Sequence, residues 1–106
     1  MKKIEKEFTR SGFVHKLVKR RGQVAIYKRR GIKSESGDYH YEVVKISSHN
    51  GYKLGGQYIE SAETYPGASL WGLQGWTYQD LDIALKQFEV TYKRFNKKKK
   101  EVVALP

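Results

Sequence analysis

The sequence predicts an α+β fold: an antiparallel sheet of four to five strands, hairpins first, with one C-terminal helix packed across one face. Three observations lead there. Short β-rich runs separated by glycine turns fill most of the chain before residue 78. One amphipathic helical pattern follows over residues 78–95. The apolar stripe of that helix needs a partner, and the sheet offers the only other broad apolar face. A chain of 106 residues reads as one domain over 1–106, with flexible ends at about 1–7 and 97–106.

The elements follow in order. Residues 1–7 are polar and charged and are expected to fray. Residues 13–18 and 23–28 are two strands rich in β-formers, joined by a basic turn, Lys19, Arg20, Arg21 and Gly22. Residues 29–38 are charged and contain glycine and serine, so they read as a connection. Residues 39–47, with Tyr39, Tyr41, Val43 and Val44, make the clearest strand, and His49, Asn50 and Gly51 mark its turn. Residues 52–59 read as a tight hairpin about Gly55 and Gly56, because a type I′ turn needs positive φ at both central positions. Residues 60–70 read as a loop, and residues 71–76 as a short strand or an ordered loop. In the helix, Leu81, Leu85, Phe88, Tyr92 and Phe95 fall on one stripe, with Thr77 as the expected N-cap and Asp80 three residues on.

Charge along the chain is segregated. Residues 1–33 hold twelve Lys/Arg against two Glu, a net of +10. Residues 34–92 hold three Lys against eight Asp/Glu, a net of −5, and residues 93–106 return to +5 with six Lys/Arg against Glu101. If the two basic arms meet in space they form a patch that attracts polyanions. With no cysteine, disulfides, thiolate zinc sites and cysteine nucleophiles are excluded. No apolar run reaches the ~18 residues of a membrane span, and the basic start at Lys2 and Lys3 has no apolar stretch behind it. The expectation is a cytoplasmic protein without a membrane partner.

The residues that would carry binding are basic and aromatic. Lys19, Arg20, Arg21, Lys28, Arg29 and Arg30 gather on and beside the first hairpin, and Lys97, Lys98, Lys99 and Lys100 form a tail. Guanidinium groups pair bidentately with phosphates, and polylysine adds affinity by counterion release. Tyr39 and Tyr41 share one strand face, where exposed bases can stack; Tyr27 is a further candidate. The bland alternatives are a solvated hairpin and tyrosines at the edge of a core. Gly72 and Gly75 precede the helix, but Asp80 and Asp82 put negative charge where a phosphate would need positive potential, so a sharp turn beside Trp71 and Trp76 is the better reading. His15, His40 and His49 are scattered; His40 and Glu42 share a strand face, yet nothing repeats at metal-ligand spacing.

Residues 71–77, with Trp71, Gly72, Gly75, Trp76 and Thr77, followed by Leu81, Ala84, Phe88, Tyr92 and Phe95, resemble the C-terminal half of a WGR domain. The resemblance covers residues 71–95 and implies a Trp-Gly strand feeding a helix on an antiparallel sheet, in a family whose best-known members bind DNA ends. Leu73 stands where that family has its arginine, so the resemblance bears on fold more than on DNA contact. The strand around Val24 to Tyr27, the strand Tyr41 to Val44, and the run from Tyr65 and Pro66 to Tyr78 also resemble small accessory proteins encoded by bacteriophages, which would place the protein in a host cytoplasm.

Two functions are expected on these grounds. The first is a basic nucleic-acid-binding protein, for DNA or RNA, without catalysis, cofactor or metal, that contacts phosphates through the N-terminal hairpin and the Lys-rich tail. The second is a phage-type protein-interaction module that binds and inhibits a host or anti-phage defence factor, an acidic protein partner, with Trp71, Trp76 and the hairpin tip as anchors. Either would act as a monomer or as a homodimer paired through an edge strand.

Overall fold

The computed structural model describes residues 1–33, 37 and 39–100, the side chains of 97–100 excepted. In chain order the elements are β1 (Glu7–Arg10), β2 (Phe13–Arg21), β3 (Val24–Gly31), β4 (His40–Lys45), β5 (Ser47–His49), β6 (Tyr52–Leu54), β7 (Gln57–Ile59), β8 (Ala62–Thr64), β9 (Gly75–Tyr78) and α1 (Leu81–Lys100). Five strands form an antiparallel sheet in the order β1-β2-β3-β4-β9, and α1 packs on β3, β4 and β9. This is the expected α+β arrangement.

Strand alternation gives the sheet two apolar faces. On the helix side, Val24, Ile26 and Val43 meet Ala84 and Phe88, all at 1% exposure or less, with Tyr41, Trp76, Tyr78, Leu85 and Tyr92 around them. On the other side, Ala25, Tyr27, Val44 and Ile46 are buried beneath Ile4, Phe8, Leu17, Tyr65 and Trp71. This second core is a correction to the expected two layers. Its lid comes from the N-terminal segment and the long connection before β9.

The N-terminal segment, expected to fray, is hydrogen-bonded instead. Lys2 N–H donates to the Ser61 carbonyl at 3.0 Å, Glu63 N–H donates to the Lys2 carbonyl at 2.8 Å, and Ile4 N–H donates to Glu63 Oε1 at 3.1 Å. β8 lies in what sequence reads as a loop; it pairs with β5, and its three residues are too short to give a periodic signal. The β6–β7 hairpin forms as expected, with Gly55 and Gly56 at φ of 57° and 80°.

The first hairpin is longer and tighter than the sequence suggests. Arg21 pairs directly with Val24, so only Gly22 and Gln23 turn, and the basic residues belong to strand β2. Gly22 has φ of 60°, as the first central position of a type II′ turn requires. β3 likewise runs on through Arg29 and Arg30 to Gly31, which sequence assigns to a connection. The helix begins later than expected. Asp80 is the N-cap: its Oδ1 accepts from Asp82 N–H at 2.8 Å, and its carbonyl accepts from Ala84 N–H at 3.0 Å. Thr77 lies in β9. Among the described residues no helix is long and apolar enough to cross a membrane.

Candidate nucleic-acid interface

One irregularity distributes the arginines. Between Leu17 and Lys19 the β2–β3 register shifts, so that Lys19 faces Ile26 and Arg21 faces Val24. A bulge of this kind adds one residue and reverses the alternation beyond it. Lys19 and Arg21 therefore lie on the helix side, where unbroken alternation would have put them with Leu17. Arg20 goes to the opposite side.

Carboxylates meet three of the arginines. Arg20 grips Glu63 with two nitrogens, at 2.9 Å and 2.6 Å, and its Nη2 also reaches Gln23. The Arg20 hydrogen bonds are the main reason the Glu63 carboxyl is held below the usual range, and Glu63 in turn raises the Arg20 guanidinium. Arg21 lies over the Phe88 and Tyr92 rings and donates two 3.2 Å bonds to Glu89, whose carboxyl is held down chiefly by them. Lys19 lies 3.9 Å from the same Glu89 and over Phe88. Arg29 lies 3.4 Å from the buried Glu42 and 4.2 Å above the Phe13 ring. The hairpin tip that sequence offers to phosphates is thus largely engaged within the fold.

A different basic surface is half-exposed, with Arg30 Nε buried. α1 packs on β3, β4 and β9 and meets β2 at Lys19 and Arg21, and the strip through Val14 and Lys16 continues the same face before the bulge. On that strip Lys16 sits directly opposite Lys28, and Val14 opposite Arg30. Like charges facing across strands are destabilising. The nearest described carboxylate, Glu7, is 4.0 Å from Lys16, and both side chains are well exposed. Among the described residues no carboxylate lies within salt-bridge distance of Lys28 or Arg30. The Lys28 ammonium rests 4.7 Å from the Tyr39 ring. Tyr41 points to the same side but packs beside the helix, and Tyr27 is buried on the opposite face, which removes it as a stacking candidate.

The N-terminal segment and the α1 residues Tyr92 to Asn96 come together at the Gly22 end of the sheet. Lys3, Arg20, Lys45 and Asn96 line a hollow of about 590 Å³ between the N-terminal segment and the last turns of α1. Lys45 lies 5.7 Å from the Phe95 ring, and exposed Lys93 and Arg94 are adjacent along the helix. Lys97, Lys98, Lys99 and Lys100 follow within α1; their side chains lie outside the described residues, as do residues 101–106.

Trp71 and Trp76 are half-buried and packed. The Trp71 ring lies against Gly75, where an added Cβ would come within 2.6 Å, and its Nε1 donates to Thr77 Oγ1 at 3.0 Å. Trp76 packs on the helix-side core. Neither projects as the anchor the docking expectation calls for.

Sequence reasoning missed a polar cluster on the second face. Glu42, 4% exposed, accepts from the Tyr65 hydroxyl at 2.7 Å and lies 3.3 Å from His15 Nε2. His15 is held below its usual range by burial, against the opposing pull of Glu42. Burial, with Glu42 beside it, pushes the Tyr65 phenol far above its ordinary range. His15 and Glu42 come from strands on either side of β3, so only strand order and register bring them together. His40 does share a face with Glu42, yet among the described residues no three His, Asp or Glu side chains gather as a metal would require. No family model, curated protein or solved structure matches the chain.

Proposed function

We propose that this chain is a nucleic-acid-binding module that acts without catalysis and takes a phosphate backbone on the half-exposed strip beside α1. The observation that carries this reading is the direct opposition of Lys16 and Lys28, with Arg30 two residues along β3. Folding alone disfavours that juxtaposition, and a polyanion relieves it. Tyr39, beside Lys28, supplies a ring on which an unpaired base can stack. Lys93 and Arg94, exposed along α1, extend the positive field toward the helix end. The expected compartment is the cytoplasm, where DNA and RNA are at hand.

Fluorescence anisotropy with labelled single-stranded DNA, RNA and duplex DNA tests this between about 50 and 200 mM salt. Affinity should fall steeply with salt. Replacing Lys16, Lys28 or Arg30 with Ala should each reduce the log–log slope by about one. A flat salt response, or no binding at about 10 μM protein in low salt, contradicts the reading.

The exposed β6–β7 hairpin favours a second reading, docking on a protein. Tyr52, Leu54 and Tyr58 are all well exposed there. A partner captured from nuclease-treated lysate by the native chain and lost in the Leu54→Ser, Tyr58→Ser double variant would support it.

A further inference from the structure

On the sheet face away from α1 a cavity of about 430 Å³ opens between the β1–β2 turn and the segment from Tyr65 to Trp71. That volume falls within the roughly 300–1,000 Å³ of small-molecule sites. Its buried lining residues are His15, Glu42 and Pro66, and its walls include the Phe13, Tyr65 and Trp71 rings. Arg10, exposed on β1, stands at the mouth, 5.6 Å from the Tyr65 ring. Arg29 reaches in beside Phe13.

Stability does not account for this cluster. A carboxylate in the middle of a sheet carries a desolvation cost of several kcal/mol, and an apolar replacement of similar size is often neutral or stabilising. One of its nitrogens, Arg29 Nε, is buried without a hydrogen-bond partner among the described residues. Packing leaves that hydrogen-bonding capacity unused.

The chemistry of the lining selects a ligand class. Arg10 and Arg29 bring two positive charges against the single negative charge of Glu42, with His15 neutral, so the cavity favours an anion. Three aromatic walls favour a flat ring. We propose that the cavity binds a small aromatic anion, its ring among Phe13, Tyr65 and Trp71 and its carboxylate or phosphate held by Arg10 and Arg29. This inference stands apart from the nucleic-acid reading, since it uses the opposite face of the sheet.

The test is an NMR titration of the full chain followed at the Trp71 indole N–H, with benzoate, benzamide, adenosine and adenosine 5′-monophosphate as probes. One or both anions should shift that resonance with a dissociation constant of about 0.1 mM. Benzamide and adenosine, which keep the rings without the charge, should bind about tenfold more weakly. Arg10→Ala should weaken the anions by a similar factor and confine its own amide-shift changes to neighbours such as Phe13 and Tyr65, because Arg10 is exposed. A response to adenosine 5′-monophosphate but not benzoate assigns a nucleotide as the source of the anion; the reverse assigns an aromatic carboxylate. If neither anion perturbs Trp71 at about 10 mM, if the neutral probes bind equally well, or if Arg10→Ala binds unchanged, the proposal is overturned.

Discussion

Arg20 carries a structural task where composition suggests a phosphate contact. Its guanidinium closes a fork on Glu63, whose side chain is only 4% exposed, and Glu63 in turn holds the N-terminal segment through Ile4. Arg20→Ala strands a buried carboxylate, so it should cost about 3 kcal/mol in a denaturant melt while leaving nucleic-acid affinity intact at temperatures where the variant is folded. The pH response of Glu63 follows from the sign of its shift. Its folded value lies below the ordinary carboxylate range, so the stabilisation is present above about pH 4.3 and is lost as pH falls through the folded value. His15 acts in a higher window. Burial favours its neutral ring, so between its folded value and 6.5 the unfolded chain binds the extra proton and stability drops as pH falls. Melts between about pH 5 and 8 should show that slope, and His15→Gln should flatten it.

At the level of elements, the helix start separates two readings that give different numbers. Thr77 fits a capping pattern in sequence, but β9 takes Thr77 to pair with Glu42, and Asp80 caps α1. Asp80→Ala should destabilise the chain by about 1 kcal/mol, whereas Thr77→Ala should leave the helical circular dichroism unchanged. The hairpin at 52–59 and the stripe Leu81, Leu85, Phe88, Tyr92 were legible because each is a local pattern: a paired-glycine turn in one case, a 3.6-residue period in the other. The bulge at Val18 was not legible, since nothing in the run from Phe13 to Arg21 marks where alternation breaks. That one residue decides which side Lys19, Arg20 and Arg21 occupy. β8 and the segment from Lys2 to Ile4 escaped notice because their pairing is long-range and brief. Replacing Gly55 and Gly56 together with Ala should unfold the β6–β7 arm, at about 1–2 kcal/mol of strain per site, and leave the five-stranded sheet folded by amide exchange.

For the whole molecule, the segregation of charge in sequence becomes a division between surfaces. Glu63, Glu89 and Glu42, all from the acidic-leaning middle of the chain, neutralise Arg20, Arg21 and Arg29 of the basic first third. Among the described residues, Lys28 and Arg30 have no carboxylate within salt-bridge distance and share the helix-side face with Lys16. The charge blocks were legible in sequence; which cations of the first third are paired depended on register and on acidic partners up to 68 residues away. The cavity around Glu42 was invisible in sequence because its lining comes from β1, β2, β3, β4, β9 and the Tyr65–Trp71 segment at once. The most direct test of the account is a map of amide shifts on adding a short single-stranded oligonucleotide at low salt. Perturbations should centre on Lys16, Lys28, Arg30 and Tyr39 and fade as salt rises. A map centred on the β6–β7 arm or on the Arg20–Glu63 pair, or an unchanged spectrum, would contradict it.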